Sequence, residues 1–175
     1  VVDAWTFTTQ YPDFLFPGET QFVKEQDNAE IINSNRILST INPLSWITAA
    51  NKIKKNNPQL LLMKYWLPFF APSLGYVASK LNKNTKVITI LDNVIPHEKR
   101  FFDNILTLYF LDKNHGFIAM SEKVKEDLLA IKPDAKVELI PHPLYNHFGE
   151  KLDKEEARSR LSINKNKKTL LFFGF

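Results

Sequence analysis

A chain of 175 residues with 44% hydrophobic and 24% charged residues is long enough for one domain with a real core, and the balance is ordinary for a soluble globular protein. It has no cysteine, so neither a disulfide framework nor a thiolate metal site is available, which agrees with a reducing, cytoplasmic setting. The formal net charge of +4 and pI near 9.2 are explained by solvated basic faces or, alternatively, by attraction to an anionic partner such as a membrane surface or a polyphosphate, and no helix-turn-helix, RNP or zinc-finger spacing points to nucleic acid.

The opening residues Val1-Val2-Asp3-Ala4-Trp5-Thr6-Phe7 carry no initiator Met, basic leader or cleavage site and read as the middle of a strand, so the parent protein is expected to begin upstream. A strand is predicted near residues 2–8. Residues 11–35, with Pro12, Pro17 and Gly18 and little periodicity, are expected to form a long functional or mobile loop. Pro43 suits the first turn of a helix whose Trp46, Ala49, Ala50 and Ile53 fall on one face. A strand at 60–65 follows. The uncharged run 65–79 is too short, and too broken by Pro68 and Pro72, to cross a bilayer.

A strand at 86–91 is followed, after Glu98, by Phe101, Phe102, Ile105, Leu106, Leu108, Tyr109, Phe110 and Leu111, an apolar surface so wide that it predicts a largely buried helix. After a strand near 116–120, Ser121 is placed to cap a helix in which Val124, Leu128 and Ile131 repeat until Pro133 forbids continuation. A strand near 136–140 precedes residues 141–150, a Pro-containing passage out of the first domain. Asp153 with Glu156 three residues on resembles a capping box, and a last strand is predicted at 169–173.

Alternating strands and helices, with strands that read as continuous apolar runs, predict an α/β fold. It is a Rossmann-like parallel sheet with helices on both faces. Residues 1–150 are expected to form that domain, and 151–175 a linker helix and the first strand of a second one. Ligands bind beyond the carboxyl ends of strands in such sheets. The residues there are Thr8, Thr9, Trp66, Asp92, Asn93, Ser121 and His142, and the loop continues through Pro96, His97 and Glu98. An imidazole beside carboxylates can move protons or hold a phosphate or hydroxyl. The same loop also reads as a surface turn, Ser121 as a helix cap, Trp66 as core packing and His142 as part of a linker. None of the four histidines forms an HExxH-type pair, so no metal is assigned, and neither GxGxxG nor a P-loop is present.

Four stretches carry a family resemblance. They are Thr8-Thr9-Gln10-Tyr11-Pro12-Asp13-Phe14-Leu15-Phe16-Pro17-Gly18, Asn93-Val94-Ile95-Pro96-His97-Glu98, Ile140-Pro141-His142-Pro143-Leu144-Tyr145 and Leu170-Leu171-Phe172-Phe173-Gly174-Phe175. In this order the chain resembles the bacterial group 1 glycosyltransferases of family 4, and the four motifs span almost its whole length. The resemblance implies one half of a GT-B architecture, in which two Rossmann-like domains face across a cleft. The first holds a glycan or lipid-linked acceptor and the second a UDP- or GDP-linked sugar.

It further implies metal-independent, retaining transfer in cell-surface polysaccharide or glycolipid synthesis, with no cofactor besides the nucleotide-sugar co-substrate. Activity would need the full two-domain protein, working in the cytoplasm or peripheral to the inner, anionic membrane face. Relatives often carry His where this chain has Asp92, so that histidine's role does not transfer, whereas His97 matches the family's Pro-His-Glu motif. The expected catalytic residues are His97 and Asp92. Asn93, Glu98, Trp66 and Thr9 are expected to bind acceptor, and His142 and Ser121 to face the interdomain cleft. A non-enzymatic α/β ligand-binding module is the alternative.

Overall fold

The structure is a computed structural model that describes residues 2–12, 32–96, 101–143 and 149–172, and the chain divides into two compact units, 1–142 and 143–175. Alternation of apolar runs with helical periods produces an α/β, Rossmann-like first unit. Its elements are β1 (Ala4–Thr9), β2 (Ser34–Ser39), α1 (Pro43–Lys55), β3 (Leu60–Tyr65), α2 (Ala71–Ser79), β4 (Lys86–Leu91), α3 (Asp103–Leu111), β5 (Gly116–Ala119), α4 (Glu122–Ile131) and β6 (Val137–Leu139). Strands β3, β4, β5 and β6 pair in that order, all parallel, while β1 and β2 form a separate parallel pair.

Register and the two-residue period of a strand decide which side chains enter the core. Met63, Thr89 and Phe117 are aligned across three strands, as are Tyr65, Leu91 and Ala119, so these residues share one face. Onto that face pack Phe70 and Leu74 around α2, Phe110 and Leu111 of α3, and Val124 and Leu128 of α4. Ala49, Ala50 and Ile53 of α1 meet Val77 of α2 together with Trp5, Ile37 and Leu61. Polar groups taken into this layer are satisfied. Thr89 Oγ1 donates to Asn114 Oδ1 at 2.6 Å, and Asn114 Nδ2 to the Phe110 carbonyl at 2.7 Å.

Local chemistry sets the helix ends. Asn42 Oδ1 accepts from the Leu44 amide at 3.0 Å ahead of Pro43, and Lys52, Lys54 and Lys55 occupy the last turn, where the helix dipole favours cations. Asn57 follows at φ 45°, a left-handed position that asparagine tolerates. Ser121 Oγ accepts from the Val124 amide at 3.3 Å, so α4 starts where its sequence directs. In the second unit Asp153 Oδ1 caps α5 (Lys154–Arg160) through the Glu155 and Glu156 amides at 2.7 and 3.2 Å, while the Glu156 carboxylate pairs with Arg160.

Several expectations need correction. Ser34 and Asn35 belong to β2, not to a loop, because they pair with Ala4 and Trp5. The run 65–79, too short and broken to cross a bilayer as expected, also supplies elements the sequence reading did not name, a 3₁₀ turn (Pro68–Phe70) and α2, whose Pro72 sits in the first turn, where a missing N–H costs nothing. Helix α3 is fully buried only along Asp103, Thr107, Phe110 and Leu111, while Ile105 and Leu108 are exposed and Tyr109 is part-exposed with its ring against Gly75 of α2. Residues 169–172 form no strand. Among the described residues no strand pairs with Leu170, Leu171 and Phe172, which are exposed, and Phe173 lies outside the described residues.

Candidate functional site

The carboxyl ends of the parallel strands bring most of the expected residues to one edge of the first unit. At the end of β1 the Thr9 carbonyl accepts from the Thr40 amide at 3.0 Å, and Thr40 Oγ1 donates to the Gln10 carbonyl at 2.9 Å, so Thr9 fixes how β1 and β2 leave the sheet. Trp66 follows β3. Its indole N–H donates to the Tyr11 hydroxyl at 2.7 Å, and its ring lies 4.3 Å from that of Phe70, which also packs on Phe7 and Tyr11. Half-buried and fully engaged, Trp66 joins the ends of β1 and β3.

Asp92 sits one residue beyond β4, and its backbone continues the ladder through a 3.0 Å bond from its amide to the Tyr65 carbonyl. Its side chain is 31% exposed, and Oδ2 pairs with Lys64 Nζ at 3.0 Å. Oδ1 is buried without a hydrogen-bond partner. An ionised carboxylate oxygen left so is costly, and it can accept a hydroxyl or amide proton from a ligand without further rearrangement. Asn93 is exposed beside it, and Val94, only 2% exposed, anchors the loop behind it in the core. His97 and Glu98 lie outside the described residues.

The other two expected residues follow β5 and β6. Ser121 spends its oxygen on the α4 cap. His142 is exposed beyond β6, its amide donating to the Met120 carbonyl at 3.3 Å.

Sequence reasoning did not find the apolar cleft nearby. An open depression of about 300 Å³ has Trp46, Phe69, Pro72 and Leu106 among its walls, with Ile41 and Phe102 half-exposed at its rim. Thr40 and Asp103 supply its polar surface. The signal was present in residues 101–106, whose excess of apolar side chains was read as burial. Among the described residues no three His, Asp or Glu side chains gather as a metal site would require, and no helix is long and apolar enough to cross a membrane.

A scan of protein-family models finds no match to this chain, and no curated protein matches it significantly in sequence. Function has therefore to be argued from the chemistry of the site and the order of the motifs.

Proposed function

We propose that the chain is the acceptor-side part of a nucleotide-sugar-dependent glycosyltransferase of the GT-B type, acting without a divalent metal in cell-surface glycan or glycolipid synthesis. The observation that carries the reading is Asp92. Its carboxylate stands at the carboxyl end of β4 with one oxygen held by Lys64 and the other buried without a partner. Sugar hydroxyls are donors suited to such an oxygen, and a carboxylate anchored by β4 before it and by the buried Val94 after it can orient an acceptor or assist its deprotonation. The four ordered motifs supply the family context, with His97 as the second expected catalytic group and Asn93, Glu98, Trp66 and Thr9 around the acceptor.

The test is turnover of a panel of UDP- and GDP-linked sugars by the full-length protein. Release of nucleotide that persists in EDTA, and a kcat/KM at least about tenfold lower in Asp92→Asn, equivalent to roughly 1.4 kcal/mol of transition-state binding, are expected. Full activity in both Asp92→Asn and His97→Ala would remove this loop from the mechanism.

The apolar cleft favours a second reading, a non-enzymatic α/β module that holds a hydrophobic ligand. Donor turnover separates the two, because such a module binds but releases no nucleotide.

A further inference from the structure

A side chain closes the first rung between β4 and β5. Even-numbered residues of β4 turn their backbone toward β3, since Lys86 N donates to the Gln59 carbonyl at 2.9 Å and Asp92 N to the Tyr65 carbonyl at 3.0 Å. Odd-numbered residues therefore face β5. At the start of the strand the Val87 amide donates to His115 Nδ1 at 3.0 Å, and the His115 amide donates to the Val87 carbonyl at 2.8 Å. One residue thus holds both main-chain groups of Val87, and an imidazole nitrogen stands where a ladder ordinarily supplies a carbonyl.

That bond fixes the state of the ring. A ring nitrogen that accepts carries no proton, so His115 is neutral with its proton on Nε2. A second proton makes both ring nitrogens donors and sets one N–H against another. The exposed ring is free to swing away, but Val87 is only 1% exposed, so its amide would lose its acceptor with little access to water. The charged groups around this turn are Lys86 on β4, Asp112 and Lys113 after α3, and Lys132, Asp134 and Lys136 ahead of β6. Asp112 and Asp134 both pair with Lys132, at 3.0 and 3.6 Å. As classes, carboxylates titrate below and lysines above the range of an imidazole, so around neutral pH the charge that changes here is that of His115.

We infer that His115 is a proton-sensitive clasp on the sheet: neutral, its ring closes the first rung between β4 and β5, and uptake of one proton opens that rung. Asp92 follows the far end of the same strand, so the clasp acts on the element that presents the candidate site without touching the site itself. Because the folded state needs a bare Nδ1, the unfolded chain takes up the proton more readily. The stability the clasp contributes is therefore present in full above the ordinary imidazole range, near about pH 6.5, and is lost as pH falls below it. The inference is independent of the transferase reading.

Nitrogen NMR of the full-length protein gives the first check and needs no variant. At about pH 7.5 the His115 ring should carry its proton on Nε2 and none on Nδ1, and a proton on Nδ1 overturns the inference. Hydrogen exchange gives the second. Corrected for the intrinsic effect of pH, exchange of the Val87 amide should speed up about tenfold between about pH 7.5 and about pH 5.5, the lower value lying roughly one unit below the imidazole range. In His115→Asn, whose Oδ1 accepts from the same amide and does not titrate, the change should stay within about twofold. No change in the parent, or an equal change in both proteins, overturns the inference. In His115→Ala the acceptor is gone, so the amide should exchange fast at either pH, and parent-like protection in that variant refutes the clasp as well.

Discussion

Tyr65 shows how one side chain serves both core and site. Its ring stacks on Phe110 at 4.6 Å, its hydroxyl meets Thr107 Oγ1 at 3.0 Å, and its carbonyl receives the Asp92 amide. Burial pushes the phenol from 10.0 up to about 12, with Thr107 acting against the rise and Asp103 adding to it. The unfolded chain therefore loses this proton first as pH rises. The resulting stability is fully present below pH 10 and is lost as pH climbs toward 12, by about 3 kcal/mol in all. Urea unfolding across that window should show the decline, and Tyr65→Phe should lack this part of it while costing about 1 kcal/mol at neutral pH for the lost hydrogen bond. An unchanged slope in the variant would mean that other groups govern alkaline unfolding. The Lys64 to Asp92 pair has the opposite balance. With Lys64 half-exposed the pair adds at most about 1 kcal/mol to stability, yet it aims the carboxylate. Lys64→Met should accordingly lower kcat/KM more than it lowers the melting temperature, and equal retention of both would make the pair incidental.

Between elements, α2 and α3 approach tightly at Gly75, where an added Cβ would stand 2.5 Å from Tyr109 Cε1. Alanine is the better helix former by about 1 kcal/mol, but the ring that covers Gly75 would have to leave its seat. Gly75→Ala is predicted to destabilise by about 1–2 kcal/mol in the parent and to become neutral or favourable in a Tyr109→Ala background. Denaturant unfolding of the four proteins of the cycle measures this, and the same cost in both backgrounds would locate the clash elsewhere. Elements of this kind were unevenly legible in the sequence. Strands β3 and β4 are runs of branched side chains, and α1 and α4 have a cap, one apolar stripe and a stop, so local chemistry defines them. Helix α2 buries residues on most of its circumference, from Ala71 and Ser73 to Leu74, Gly75, Val77 and Ala78, and thus offers no polar face from which a helical period could be read. Strand β2, Ser-Asn-Arg-Ile-Leu-Ser, is set by its partner β1. The site divides the same way. Residues after strand ends could be named from order alone, as Thr9, Trp66, Asp92 and Asn93 were, but that Lys64 holds Asp92, and that Ser121 is occupied by its cap, depends on register and on caps formed in three dimensions.

At the scale of the whole molecule, transfer requires donor and acceptor to be held in attacking geometry, a proximity effect that can reach roughly 7–11 kcal/mol and is forfeited when one wall of a cleft is lacking. Residues 1–175 by themselves are therefore predicted to show no measurable transferase turnover, and robust turnover by them would refute the division of labour proposed above. In the second unit Arg158 donates to the Asn164 carbonyl, the Lys167 carbonyl and Thr169 Oγ1, tying the chain back to α5 just before Leu170, Leu171 and Phe172 emerge at 98, 80 and 87% exposure. A short, uncharged, β-prone run presented in this way is a template for intermolecular pairing, restrained by the repulsion of the gatekeepers Lys165, Lys167 and Lys168. Salt weakens that repulsion. Light scattering from concentrated solutions of residues 1–175 should thus grow as ionic strength rises, the reverse of a purely charge-driven association, and Leu171→Lys should hold it flat.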